Sequence, residues 1–294
     1  MTTHRAALAV SALAFNALVW GLSWWPLRQL DLNGLHPLWT TACVFTLATV
    51  VLTFISPSGW RALRQQPQLW WLMAASGLTN VGFNWAVTTG DVVRVVLLFY
   101  LMPTWSLLLA WWLLGERPTR MSILRLLLAL AGVALVLKTP DTPWPIPSSA
   151  TDYLALLGGA SFALNNAMLR KLADLPETVR MGAMFSGGMA ITAFAALALL
   201  PTGQVALPAD MSWWPYALGL ALCLLFSNLS LQYGAARLAA STTSLVMLSE
   251  ILFATASSVA LGVSELSERK MVGGLLIVFA AVLATMPSSP KEPP

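Results

Sequence analysis

Ten stretches of mostly apolar residues, each long enough for a helix to cross roughly 30 Å of hydrocarbon, occupy most of the 294-residue chain. They run at approximately 6–27, 36–55, 69–89, 93–114, 121–138, 151–169, 180–200, 213–234, 239–263 and 270–286. Only 10% of the residues are charged and 57% are hydrophobic, whereas a soluble domain carries about a quarter charged residues. The pattern therefore predicts an all-α polytopic membrane protein with ten transmembrane helices. The connecting segments are too short to fold as a separate catalytic domain. The first stretch follows a weak basic start, His4 and Arg5, and is longer than a signal-peptide core, so it is expected to stay uncleaved.

Several function classes lose support from composition. Cys43 and Cys223 both fall inside apolar stretches and read as small packing residues. With only two histidines, His4 and His36, and no paired cysteines, no metal or other cofactor is expected. No Gly-x-x-x-x-Gly-Lys motif is present, which argues against direct use of ATP. No Ser-His-Asp combination and no paired carboxylates occur within the stretches, so the chain is not expected to be an enzyme. The net charge of +4 does not point to nucleic acid, because in a membrane chain basic residues collect in particular loops. If the amino terminus is cytoplasmic, the inside loops hold eleven of the sixteen Lys and Arg residues and the outside five. The positive-inside rule then places both termini in the cytoplasm.

Shifting the chain by half its length exposes a repeat. "LFYLMPTWSLLLAWWLLG" (98–115) lies over "LVMLSEILFATASSVALG" (245–262), and "ILRLLLALAGVALVL" (123–137) lies over "MVGGLLIVFAAVLAT" (271–285). "WGLSWWPLR" (20–28) and "FALNNAMLR" (162–170) both end in Leu-Arg. The expected organisation is a five-helix repeat over 1–139, a stiff linker over 140–150, a second repeat over 151–286 and a cytoplasmic tail over 287–294. Five is odd, so the second copy enters the bilayer from the opposite side and the repeats are inverted. In secondary transporters that arrangement puts the substrate site near the midplane, where the copies meet.

Candidate site residues follow from polarity at depth. Glu250 sits near the middle of the ninth stretch, where an ionised side chain costs roughly 2.5–3.5 kcal/mol on insertion scales. No Lys or Arg is expected at that depth to pair with it. A protonated acid, a hydrogen-bonded structural acid and a carboxylate facing a wet cavity all remain open, and the cavity is favoured because intramembrane acids default to function. Helical spacing puts Met247 on the same face, and the repeat matches Met247 with Tyr100 and Glu250 with Pro103. Pro103 removes an amide donor from mid-helix and is expected to kink the fourth helix as a hinge. Four polar pairs at spacing four, Asn16–Trp20, Asn80–Asn84, Ser161–Asn165 and Asn228–Gln232, suggest one shared polar cavity, although each alone could simply join helices. Trp20 is the tryptophan best placed to stack on a solute.

The Leu-x-Pro turn at Leu101-Met102-Pro103, the "LLGERPT" at 113–119, the "NWAVTTGDV" at 84–92 and the Trp-Gly at 20–21 together resemble the drug/metabolite transporter superfamily, in its ten-helix EamA-type branch. Within that branch Tyr100 and Pro103 and the aromatic interior are similar to YddG-type exporters of aromatic amino acids and paraquat. Family second halves carry Leu-Glu-Pro at the ninth helix, whereas this chain has Leu248-Ser249-Glu250. The case for Glu250 therefore rests on its depth rather than on the resemblance. The resemblance implies a multi-pass protein of the bacterial inner membrane that exports amphipathic metabolites, amino acids including aromatic ones, by alternating access. The implied partners are a small-molecule substrate and the lipid bilayer, with a proton on Glu250 as coupling ion or none; a monomer is expected. Organic cations are the alternative substrate class, and a non-transport scaffold or membrane enzyme is the alternative of a different kind.

Overall fold

The structure, a computed structural model, describes residues 3–89, 92–137, 147–208, 211–262 and 267–285. The tail at 287–294, linker residues 140–146, and Gly90 and Asp91 of the "NWAVTTGDV" motif lie outside the described residues. Every described element is helical: α1 Thr3–Leu32, α2 Pro37–Ile55, α3 Ser58–Gln65, α4 Gln68–Thr89, α5 Val92–Phe99, α6 Met102–Leu114, α7 Arg120–Leu137, α8 Ala150–Lys171, α9 Glu177–Leu199, α10 Trp214–Ala235, α11 Ala240–Met247, α12 Ser249–Ala260 and α13 Glu268–Thr285. Six stretches, over 5–32, 37–55, 95–114, 120–137, 177–202 and 214–235, are long and apolar enough to cross a membrane. The remaining long helices are more polar. On α4 and α8 the polar residues include Asn80, Asn84 and Asn165, which line a central cavity.

Each apolar stretch of the sequence is occupied by one helix, or by a helix broken in two. The fourth stretch breaks at Tyr100–Leu101, and the ninth at Leu248. Pro103 lies in the first turn of α6 and cannot donate to the carbonyl of Phe99, which frees that oxygen. Gly159 of α8 sits directly against it, and a Cβ there would lie 2.5 Å from the Phe99 oxygen. The second break has no proline. There the Ser249 hydroxyl donates to the Val246 carbonyl at 2.7 Å, a local bond that competes with the helical ladder and bends it. Both breaks use the same tight backbone bonds. Leu101 N–H donates to Leu98 and Thr104 to Leu101; 147 positions later Leu248 donates to Leu245 and Ile251 to Leu248.

The helix pairings have the same internal correspondence. α1 packs on α10 and α12, while α8 packs on α4 and on α5–α6; α2 packs on α9, and α7 on α13. Exchanging the first set of helices for the second carries this set of pairings onto itself. Close approach in lipid requires small residues. At the α7–α13 crossing Gly132 and Gly273 face one another, and a Cβ on either would lie 2.7 Å from the other's carbonyl oxygen. Gly187 on α9 fits against the Met73 backbone, and Gly188 against the Phe45 ring.

Candidate functional site

Between the two sets of helices lies a cavity of about 100 Å³, where a single water needs roughly 10–15 Å³. It therefore has room for a small solute or several waters. Its polar lining comes from Asn80, Asn84, Ser76 and Thr79 of α4, Asn165 of α8, Asn228 of α10 and Glu250 of α12. Phe45, Phe83, Phe99, Phe162 and Phe185, with Trp20, Met184 and Met247, also line it. The rings support one another: Phe45 and Phe185 meet edge to face at 4.9 Å, Phe83 and Phe99 meet tilted at 4.7 Å, and Phe99 lies edge-on to Tyr100 at 5.6 Å.

Glu250 occupies the first turn of α12, just beyond the helix break, and the break aims it inward. The buried Tyr100 side chain, at the other break, hydrogen-bonds to it. The two interruptions thus meet through one hydroxyl–carboxylate contact. Gly21 of α1 packs against the Glu250 backbone, where a Cβ would lie 2.7 Å from its carbonyl oxygen.

The expected site residues divide into two groups. Trp20, Asn80, Asn84, Asn165, Asn228, Met247 and Glu250 line the cavity, and Tyr100 reaches it through Glu250. Asn16, Ser161 and Gln232 do not form its wall. Asn16 is fully buried and its amide donates to the Ser227 carbonyl at 2.9 Å and the Ser227 hydroxyl at 2.6 Å, joining α1 to α10. Gln232 lies behind Asn228, donating to its Oδ1 at 3.2 Å. Ser161 is buried. Pro103 faces a separate small crevice with Leu107, Arg125 and Thr242. Among the amides in the wall, Asn84 donates to Thr41 on α2 at 2.6 Å and Asn80 to its own helix at Ser76. Asn165 has both side-chain polar atoms unpaired.

The five phenylalanines escaped the sequence reading because an apolar ring in an apolar stretch has no contrast. A usable signal existed: Phe83 adjoins Asn84, Phe99 adjoins Tyr100, and Phe162 lies three residues before Asn165. Ser76 continues the Asn80–Asn84 stripe back by one turn. Arg180, expected at a loop boundary, is instead 1% exposed inside α9. Both cysteines are free; Cys43 is half-buried, and Cys223 lies on the outer surface.

Apolar helices around a polar, aromatic-walled central cavity define a multi-pass membrane protein built to admit a small molecule. Residues 7–138 match the EamA-like transporter family. Over 102 residues the chain is 35% identical to an uncharacterized transporter of Pseudomonas aeruginosa, a match covering 33% of this chain. The chain spans about a third of that relative's length in the match, 34%. Among solved structures, one crystal structure superposes over 97% of this chain and 98% of its own, with a TM-score of 0.75 and 20% identity; this similarity is one of fold.

Proposed function

We propose that the whole chain is a secondary transporter that exports small amphipathic metabolites, amino acids with aromatic side chains foremost, across the bacterial inner membrane. Its ten membrane helices form two inverted five-helix repeats over 1–139 and 151–286, both termini are cytoplasmic, and the central cavity opens to each side in turn. One observation carries the reading: a single carboxylate, Glu250, shares the cavity lining with the amides Asn80, Asn84, Asn165 and Asn228 and with five phenylalanines. An amino acid matches that wall, its ammonium on Glu250, its polar groups on the amides and its ring among the phenylalanines. The matching helix breaks and helix pairings support the repeat, and the family match over the first half supports transport. The Tyr100–Glu250 contact ties the two breaks together, so a ligand or a proton at Glu250 acts on both hinges.

A second reading, export of organic cations, is favoured by the same pairing of a carboxylate with aromatic faces, which suits quaternary ammonium groups. Reconstitution of the pure protein in liposomes, with labelled aromatic amino acids and organic cations offered with and without a pH gradient, tests both. Movement of aromatic amino acids supports the first reading and movement of cations alone the second. Movement of none contradicts transport of either class.

A further inference from the structure

On four helices, the turn adjoining the cavity on the side of the α8–α9 and α10–α11 connections carries a buried polar side chain with unused hydrogen-bonding atoms. Arg180 lies one turn before Met184 of the cavity wall; its Nη1 donates to the Leu169 carbonyl at 3.1 Å, and its Nε has no partner. Asn166, next to Asn165, is fully buried and neither of its side-chain polar atoms is bonded. Gln232, one turn beyond Asn228, leaves its Oε1 unused, and Thr243, one turn before Met247, leaves its hydroxyl unpaired. All four residues are at most 1% exposed.

Such groups are poor structural choices. A buried donor or acceptor without a partner loses its hydration and gains nothing, and an apolar side chain of similar volume packs at lower cost. Arg180 is the extreme case, because its nearest ionised neighbours are Glu177 and Arg237, and those two pair with each other at 3.5 Å. Beyond this layer Leu13, Leu69, Leu172 and Val179 belong to the main apolar core cluster. On the opposite side the cavity continues instead, through Trp20, Asn80 and Asn84 into a crevice reaching Ser23, Leu27 and Thr40. These four unpaired groups lie toward the end away from that crevice, while Asn16, Thr49, Trp105, Arg125 and Asn165 carry unpaired atoms elsewhere.

We infer that Arg180, Asn166, Gln232 and Thr243 line a vestibule that opens to water in a second conformation, and that Arg180 there receives an anionic group of the solute, a carboxylate in the case of an amino acid. The assignment to a solute rests on the transporter reading; the opening of the vestibule does not. A guanidinium backed by amides is suited to a carboxylate, which takes two parallel hydrogen bonds from it. Glu250 and Arg180 would then mark two stations, one for the ammonium and one for the carboxylate, on the same path.

Two measurements separate the parts. In a Cys43→Ala, Cys223→Ala background, Asn166→Cys and Gln232→Cys are exposed to a membrane-impermeant methanethiosulfonate, with Asn228→Cys as the cavity control. Both are expected to react from the side that carries the Glu177–Arg237 pair, and ~2- to 5-fold faster when Glu177→Gln removes that partly exposed pair. Reaction of Asn228→Cys while the other two stay unmodified overturns the vestibule. The second measurement compares flux of phenylalanine with that of phenethylamine, which keeps the ring and ammonium and lacks the carboxylate. Arg180→Gln is expected to lower phenylalanine flux by ~10-fold or more, the size of a lost charged hydrogen bond, leaving phenethylamine nearly unchanged, with Arg180→Lys intermediate. Equal loss for both solutes assigns Arg180 to structure and overturns the anion site. Wild-type flux of neither solute counts against the transporter reading and the anion site together, while the thiol result still decides the vestibule.

Discussion

A carboxylate turned toward the cavity in the first turn of α12 needs a donor, and the Tyr100 hydroxyl supplies one to Glu250. Because a hydrogen bond to a charged group is worth about 1.5–3 kcal/mol, Tyr100→Phe should reduce flux about 10-fold while the purified protein keeps its wild-type melting temperature within a few degrees. Flux unchanged by Tyr100→Phe would separate the contact from function. Outside the membrane helices, Glu116 follows α6, where burial pushes its carboxyl above the ordinary value of 4.5 and the nearby Arg170 only partly opposes the shift. A carboxyl raised in the folded state contributes stability below pH 4.5, and that contribution is lost as pH rises through the folded value. Glu116→Gln should therefore raise the melting temperature at pH 7, and the gain should shrink toward pH 4; an equal gain at both pH values would contradict it. At this scale the deep acid and most of the amides were legible, since polarity stands out against an apolar run. The aromatic wall was not, because phenylalanines facing a cavity and phenylalanines facing lipid read alike.

The two broken helices show what sequence conveys about elements. Pro103 announces the first break, because a residue without an N–H must interrupt the ladder. Nothing comparable announces the second, where a serine hydroxyl bonded to the carbonyl three residues back has the same outcome. The repeat alignment sets Glu250 against Pro103, but no break was expected in the ninth stretch. The short helix α3 was also unforeseen; Leu63 anchors it in the main core, but "SGWRALRQ" offers too few apolar residues to register as a period. If the first break acts as a hinge, Pro103→Ala restores a ladder bond and should slow turnover while leaving solute affinity near wild type. Unchanged turnover and affinity would remove the hinge. Gly159→Ala tests the contact beneath it. A Cβ placed 2.5 Å from the Phe99 oxygen must displace backbone, and overpacking of this kind costs about 1–3 kcal/mol, to be read as a lower melting temperature in detergent. An unaltered melting temperature would mean that the freed carbonyl is not held there.

For the molecule as a whole, the paired breaks, the reciprocal helix pairings and the cavity between the two sets of helices form one arrangement. Under the proposed duplication of a five-helix unit all three follow together. Solute counterflow tests the central claim most directly. Liposomes holding the wild-type protein and preloaded with unlabelled phenylalanine are diluted into labelled phenylalanine. The account predicts a transient internal accumulation of label above its equilibrium level, because a site that faces one side at a time exchanges solute faster than it returns empty, and loss of that overshoot with Glu250→Gln. Label that enters no faster than in protein-free liposomes, or an overshoot that survives Glu250→Gln undiminished, would contradict it.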